Sequence, residues 1–91
     1  MDPGCPYRLH ELVALRPEPF GALAYHYGNR KLVFLRTPEM VGLVRSLADH
    51  PSVTAALDAA GVPAAKHPRY VEALASLQQS DIITVREADP T

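Results

Sequence analysis

The feature that most constrains this chain is a pair of alternating apolar segments, residues 22–27 and 30–35, separated by Gly28 and Asn29. A Gly-Asn pair between two such segments predicts a β-hairpin with a two-residue primed turn, in which both central residues adopt positive φ angles. Thr37 and Pro38 follow at once and are typical of a helix start. The segment therefore predicts two paired strands that lead directly into a helix.

Both faces of this hairpin are apolar in the middle. The predicted pairs on one face are Tyr27 with Arg30, Tyr25 with Leu32, and Leu23 with Phe34. Those on the other face are His26 with Lys31, Ala24 with Val33, and Ala22 with Leu35. Because side chains alternate across a strand, each face needs its own cover. Without it, the hairpin leaves a strand edge bordered by apolar groups that another chain can use.

Length and charge favour a small binding module. The chain has 91 residues, which predicts one domain with little room for an enzyme-sized cavity. Nine Lys plus Arg against ten Asp plus Glu argue against a nucleic-acid or anionic-membrane partner. The lone Cys5 cannot form an internal disulfide, and neither a signal peptide nor an apolar run of about 20 residues is present. We therefore expect a cytoplasmic protein.

The segment before the hairpin predicts an N-terminal arm and one further strand. Residues 1–7 contain two prolines and a glycine, so we expect a flexible arm, followed by a single domain over residues 8–86 and a tail over 87–91. A first strand is predicted over residues 12–16, because Pro17 interrupts a hydrogen-bonded ladder. With the hairpin it makes a three-stranded antiparallel meander.

Three helices and a final β-branched segment follow. Caps and apolar spacing predict helices from Pro38 to about Ala48, from Ser52 to Gly61, and from about Pro68 to Gln79. Residues 82–85 are typical of a final short strand or wing. The predicted fold class is α+β, a three-stranded antiparallel sheet followed by a three-helix winged-helix-like bundle.

No arrangement typical of catalysis or metal binding is present. His10, His26, His50 and His67 lack any ligand spacing, and Cys5 has no base beside it. No glycine-rich phosphate loop occurs either. We expect no catalytic residue, no metal and no cofactor.

The alternative function is a winged-helix DNA-binding or dimerisation module of a transcription regulator. A recognition helix needs several basic side chains, yet residues 69–80 contain one Arg, one Glu and two Gln. This composition argues against DNA binding. The dimerisation alternative stays open, because it does not depend on basic side chains.

Segments 14–27, 32–35 and 46–53 resemble the peptide chaperones of the mycofactocin biosynthesis system. The most specific part is Arg-Pro-Glu-Pro-Phe-Gly-Ala-Leu at residues 16–23, and the resemblance extends over about residues 7–80. Those chaperones are similar to the PqqD-like recognition domains of ribosomally made, modified peptides. The resemblance implies the same α+β fold and a non-catalytic adaptor.

In such domains the leader of a precursor peptide adds as a strand to the third strand and lies against the third helix, while a radical S-adenosylmethionine (SAM) maturase modifies the peptide. Here these elements are Arg30–Leu35 and Pro68–Gln79. The implied peptide-binding residues are Lys31, Leu32, Val33, Phe34, Leu35, Arg69, Tyr70, Ala73, Leu74 and Leu77. Matching the cap at Thr37 to the family pattern turns Leu32 and Phe34 inward, with Lys31, Val33 and Leu35 on the other face.

Overall fold

The alternating segments form the central sheet of the domain in the computed structural model, which describes residues 1–86. The strands are β1 (Tyr7–Leu9), β2 (Val13–Glu18), β3 (Gly21–His26), β4 (Leu32–Leu35) and β5 (Ile83–Val85). The helices are α1 (Pro38–Ser46), α2 (Val53–Ala59) and α3 (His67–Gln79), with 3₁₀ turns at Leu47–Asp49 and Ala64–Lys66. The predicted α+β class with an antiparallel sheet and three helices is confirmed. The expected tail over 87–91 lies outside the described residues.

The three-stranded sheet has the order β2-β3-β4, and both neighbouring pairs are antiparallel. The predicted pairs are confirmed for Tyr25 with Leu32, Leu23 with Phe34, Ala24 with Val33, and Ala22 with Leu35. A glycine is required where the two strands end, because a Cβ atom on Gly21 would lie 2.2 Å from the carbonyl oxygen of Leu35. The alternation of apolar side chains and the close approach of Gly21 to Leu35 both fit the same pairing register of β3 and β4.

The turn between β3 and β4 differs from the predicted two-residue turn. Within residues 27–31 only Arg30 has a positive φ, of 64°, and its N–H donates to the carbonyl oxygen of His26 at 2.8 Å. Nδ1 of His26 accepts hydrogen bonds from the N–H groups of Gly28 at 2.9 Å and Asn29 at 3.1 Å. The prediction of positive φ at Gly28 and Asn29 was wrong, because the buried His26 ring organises a longer turn.

β2 extends beyond the predicted end near Arg16, through Pro17 to Glu18. Pro17 lies opposite Ala22, and Tyr27 N–H donates to the carbonyl oxygen of Leu12 at 2.8 Å. Because hydrogen-bonded pairs alternate along antiparallel strands, this bond directs the nitrogen of Pro17 away from β3. The missing N–H therefore costs no bond inside the sheet, and the strand passes through the proline.

A second, two-stranded sheet joins the two ends of the described chain. β1 pairs antiparallel with β5, with Arg8 opposite Thr84. Residues 1–7, expected to form a flexible arm, lie against the domain: Tyr7 is 3% exposed, and the Pro3 carbonyl oxygen accepts a hydrogen bond from Thr54 N–H at 3.1 Å. The expected boundary near Arg8 falls inside β1. Because the partner of β1 lies at the other end of the chain, the local sequence pattern carries little information about this pairing.

The helices begin at their predicted caps. Oγ1 of Thr37 accepts a hydrogen bond from Met40 N–H at 3.1 Å, and Oγ of Ser52 accepts one from Ala55 N–H at 3.0 Å. The first helix, predicted to reach about Ala48, is α-helical to Ser46 and then tightens into the 3₁₀ turn. Within residues 1–86 no helix has the length and apolarity to cross a membrane.

The helices cover one face of the three-stranded sheet. α1 contacts β3 and β4 on the side of Ala22, Ala24 and Leu35, which are all buried. The other buried apolar residues are Tyr7, Leu43, Val44, Leu47, Val53, Ala56, Leu57, Leu74, Leu77, Ile82 and Ile83. The opposite face of the sheet, with Leu32 and Phe34, is exposed to solvent in the described part of the chain.

The turn around His26 gives the first testable prediction. In His26→Leu two turn N–H groups lose their acceptor, so we expect the free energy of unfolding to fall by about 1 to 3 kcal/mol. His26→Asn is the matched control, because its Oδ1 retains an acceptor close to the backbone. Urea denaturation followed by circular dichroism measures both variants. Equal stability of His26→Leu and the unsubstituted chain would contradict this account of the turn.

Candidate functional site

The two edges of the three-stranded sheet differ in what they offer to another strand. By the alternation of hydrogen-bonded pairs, the outer edge of β2 carries the backbone groups of Val13, Leu15 and Pro17. Pro17 has no N–H, and the Val13 N–H already donates to the His10 carbonyl oxygen at 2.9 Å. This edge therefore presents one of its three positions as a donor, and a continuous ladder cannot form there.

The edge at β4 is open. His26 N–H donates to the Lys31 carbonyl oxygen at 3.0 Å, so the backbone groups of Val33 and Leu35 face β3. The backbone groups of Leu32 and Phe34 consequently face away from β3, toward the free edge. Within residues 1–86 no strand pairs with β4 on that side. This edge is the place where an extended peptide can continue the sheet.

A groove lies beside the open edge, between β4 and α3. Its cavity volume is about 330 Å³. The lining residues are Val33, Phe34, Leu35, Arg36, Thr37, Met40, Ala73, Ser76 and Leu77. A second cleft of about 280 Å³ shares Thr37 and Met40 with the groove and adds Lys66, Arg69 and Tyr70. We call the two together the β4–α3 groove.

The ends of the β4–α3 groove are set by contacts of α3. At the hairpin, Asn29 Nδ2 donates to the Ser80 carbonyl oxygen at 3.2 Å, which holds the C-terminal end of α3 near the start of β4. The N-terminal half of α3 reaches Thr37, just after β4 ends. α3 therefore runs antiparallel to β4, and an extended chain between them contacts the strand by its backbone and the helix by its side chains.

Charge in the β4–α3 groove is of one sign. Arg36, Lys66 and Arg69 line it, and no carboxylate is among its described lining residues. Its centre is apolar and is formed by Met40 and Leu77 together with small residues of α3. The arrangement suits a peptide that carries both apolar and acidic side chains.

Most of the expected site residues line the β4–α3 groove, and others lie outside it. Lining the β4–α3 groove are Val33, Phe34, Leu35, Arg69, Tyr70, Ala73 and Leu77. Leu74 is 0% exposed and belongs to the core, so a bound peptide has no access to it. Lys31 is exposed near the hairpin turn and lines neither cleft.

The expected orientation of β4 was wrong. Leu32 and Phe34 are 57% and 58% exposed, whereas Leu35 is 2% exposed and packs in the core. Both faces of the strand are apolar, so alternation alone is equally compatible with either orientation. The helices cover the face that carries the small residues Ala22 and Ala24, because these let α1 approach the sheet closely, and Leu35 lies on that same face.

Residues from outside the expected site complete the β4–α3 groove. Arg36, Thr37, Met40, Lys66 and Ser76 all line it. Met40 belongs to the apolar stripe of α1. It is half-exposed, whereas the other members of the stripe, Leu43, Val44 and Leu47, are buried. Its place beside α3 depends on how the helices pack, which periodicity does not contain.

A larger cleft of about 510 Å³ lies between α1 and α2 and reaches Tyr70. Small apolar residues such as Gly42 and Ala56 line much of it. No strand edge borders this cleft among its described lining residues, so a peptide there would have no ladder to join. The β4–α3 groove is therefore the better candidate for an extended ligand.

Within residues 1–86 no group of three or more His, Cys, Asp or Glu is arranged to hold a metal ion. Asp2 accepts a hydrogen bond from Cys5 Sγ at 3.4 Å, and this contact raises the pKa of the Cys5 thiol. The thiol is thus kept protonated and is a poor nucleophile.

Comparison with known families is decisive. The model of the peptide chaperone MftB family matches residues 6–84. The chain belongs to this family. The match includes β1, the whole of the three-stranded sheet, all three helices and the first two residues of β5, and so covers every element of the β4–α3 groove. The resemblance to mycofactocin peptide chaperones is confirmed.

Relatives in this family align over nearly the whole chain. A peptide chaperone MftB from Mycobacterium ulcerans is 52% identical over 97% of this chain and 81% of its own length. The Mycolicibacterium smegmatis protein of the same name is 52% identical over 90% of this chain and 80% of its own. The Mycobacterium tuberculosis protein is 44% identical over 94% and 79%. No solved structure gave a significant match.

The orientation of β4 gives the second prediction. Leu35→Ala removes a buried side chain, so we expect the free energy of unfolding to fall by about 2 to 5 kcal/mol. Phe34→Ala, on the exposed face of the same strand, is the matched control and should cost less than about 1 kcal/mol. Chemical denaturation measures both. A larger loss for Phe34→Ala would restore the orientation expected from the sequence.

Proposed function

We propose that this peptide chaperone binds the leader of a ribosomally made precursor peptide and presents it to a radical SAM maturase in mycofactocin biosynthesis, in the cytoplasm. The leader adds as a fourth strand at the free edge of β4 and lies in the β4–α3 groove, as in PqqD-like recognition domains. The observation that carries this proposal is the open β4 edge beside a groove, in a chain whose family is that of a peptide chaperone.

Strand addition accounts for affinity that tolerates sequence variation. The backbone groups of Leu32 and Phe34 supply the main-chain hydrogen bonds, and these depend little on the side chains of the peptide. Within residues 1–86 the β4 edge is the edge of the three-stranded sheet that is open over successive positions, because Pro17 and the bonded Val13 N–H interrupt the edge of β2. One peptide therefore binds at one edge.

Selectivity comes from the side of α3. In an added strand, alternate side chains point toward the helix, where Ala73 and Ser76 leave room and Met40 and Leu77 provide apolar contact. Arg36, Lys66 and Arg69 favour acidic residues at the borders. We propose Val33, Phe34, Arg69, Tyr70, Ala73 and Leu77 as residues that contact the leader, with the Leu32 backbone as a further contact.

The chain's role in peptide modification is positional. A bound leader holds the reacting end of the precursor near the maturase, which raises its local concentration there. This effect needs no nucleophile, metal or cofactor from the chaperone. The DNA-reader alternative gains no support, since α3 places Ala73, Ser76 and Leu77 along the groove. The nearby cations, Arg69 of α3 and Lys66 just before it, are confined to one end.

Amide exchange tests strand addition at single-residue resolution. On adding a synthetic leader peptide, we expect exchange at the Leu32 and Phe34 amides to slow, because they gain acceptors. The Val33 and Leu35 amides, already bonded to β3, are the internal control and should change little. Protection confined to α1 and α2 would assign the peptide to the larger cleft and overturn strand addition.

Substitutions in the β4–α3 groove test which contacts dominate. Tyr70→Ala removes a half-buried aromatic ring, so we expect leader affinity to fall about tenfold, whereas Lys31→Ala should change it less than about threefold because exposed ion pairs contribute little. Isothermal titration calorimetry at physiological salt measures both. Each variant is first checked for native circular dichroism. If Lys31→Ala were the more damaging, electrostatic capture at the hairpin would replace the groove.

A further inference from the structure

Two exposed phenylalanine rings contact each other on the side of β4 that faces away from the helices. Phe34 belongs to β4, and Phe20 lies in the turn between β2 and β3. Their ring centroids are 5.8 Å apart at an interplanar angle of 61°, which is an edge-to-face contact. Phe34 is nevertheless 58% exposed and Phe20 40% exposed. We call these two residues the Phe20–Phe34 pair; their contact restrains both rings and leaves them accessible to a ligand.

The interior of the domain gives no reason for a large apolar side chain at position 20. Phe20 belongs to segment 16–23, in which Pro17 interrupts the outer edge of β2 and Gly21 lets β3 and β4 approach closely. Phe20 itself is exposed and lies outside the hydrophobic core of the described residues. Its aromatic contact in that part of the chain is with Phe34. The side chain of Phe20 therefore acts on the ring that borders the free edge of β4.

A strand added at that edge must place side chains beside the Phe20–Phe34 pair. Laterally paired residues of a sheet point to the same face, with their Cβ atoms about 4.5–5.5 Å apart in an antiparallel pair. A peptide residue paired with Phe34 therefore projects onto the face that carries the Phe34 ring. Its neighbours in the peptide project to the other face, where α3 presents Ala73, Ser76 and Leu77. Phe34 also lines the β4–α3 groove, so the two sets of contacts are continuous.

We infer that the Phe20–Phe34 pair is a specificity subsite for one apolar side chain of the leader, and that Phe20 is a positioning residue that acts through Phe34. The inference rests on the proposed function, because the subsite is completed only by a strand added to β4. An aliphatic or aromatic side chain there removes apolar area from water. A charged side chain finds no opposite charge on Phe34 or on Leu23, its neighbour in the same row.

The subsite gives the bound strand a register. The main-chain hydrogen bonds at the β4 edge are equivalent for different registers of the peptide, so side chains must select among them. A slip by one residue turns the apolar side chain to the opposite face, toward α3. A slip by two residues moves it beside Leu32, which is exposed but has no ring packed against it comparable to Phe20 among the described aromatic contacts. The restrained Phe34 ring therefore favours one register.

Fluorine labelling reports directly on the subsite, because the chain contains two phenylalanines and both belong to the Phe20–Phe34 pair. The full chain labelled with 4-fluorophenylalanine gives two ¹⁹F NMR signals, which Phe20→Leu assigns by removing one of them. On titration with a synthetic leader peptide to saturation, we expect both signals to shift, since a peptide side chain then packs against the rings. The measurement uses the unsubstituted sequence, so it decides the inference even if a variant fails to fold.

Calorimetry on variants tests how Phe20 acts. Phe20→Ala should weaken leader binding about fivefold, whereas Phe20→Tyr keeps an edge-to-face ring and should bind within about twofold of the unsubstituted chain. In a Phe34→Ala background, Phe20→Ala should have no further effect. Leu12→Ala is the matched control: Leu12 is 45% exposed, and its carbonyl oxygen accepts from Tyr27 N–H, so β3 lies between it and β4. Its leader affinity should be unchanged.

The outcomes separate the inference from the proposed function. If both ¹⁹F signals stay unshifted while calorimetry shows saturation, the leader binds away from the pair, and the inference is overturned while leader binding stands. Equal losses from Phe20→Ala with and without Phe34 would overturn the positioning role. A dimer that Phe20→Ala dissociates, with leader affinity unchanged, would assign the pair to a second copy and overturn the subsite. Failure of the unsubstituted chain to bind the leader would overturn the proposed function, and the inference would fall with it.

Discussion

Close packing of β3 against α1 is the constraint on which the rest of the structure depends. Ala22 and Ala24 are fully buried and small, so the helix approaches the sheet closely and Leu35 on the neighbouring strand is drawn into the same core. Once that face is committed, Leu32 and Phe34 must point outward. The backbone of β4 then faces β3 on one side and the groove beside α3 on the other.

The sheet is closed to strand addition on one side and open on the other. On β2, Pro17 and the hydrogen bond from Val13 to His10 interrupt the row of donors, which protects that edge from unwanted pairing. Within the described residues, neither a proline nor an already bonded N–H group interrupts the free edge of β4. This asymmetry limits self-assembly, because two open edges would let copies of the sheet pair with one another.

The β4–α3 groove and the uncovered face of the sheet follow from the same hairpin. An apolar face covered by helices creates a core that supports β4, and an apolar face without cover remains available to a partner. We propose that the open edge of this small sheet receives the leader peptide.

Local chemistry in the sequence determined the pairing register of β3 and β4, the helix starts at Thr37 and Ser52, and the family. These depend on neighbours in the chain. Tertiary structure alone decided which face of β4 is inward, because both are apolar, and how the His26 ring reshapes the turn. It also decided that β1 pairs with β5 and that Met40 meets α3. Those contacts join segments that are distant in the chain, so they stabilise the protein only once the core has formed.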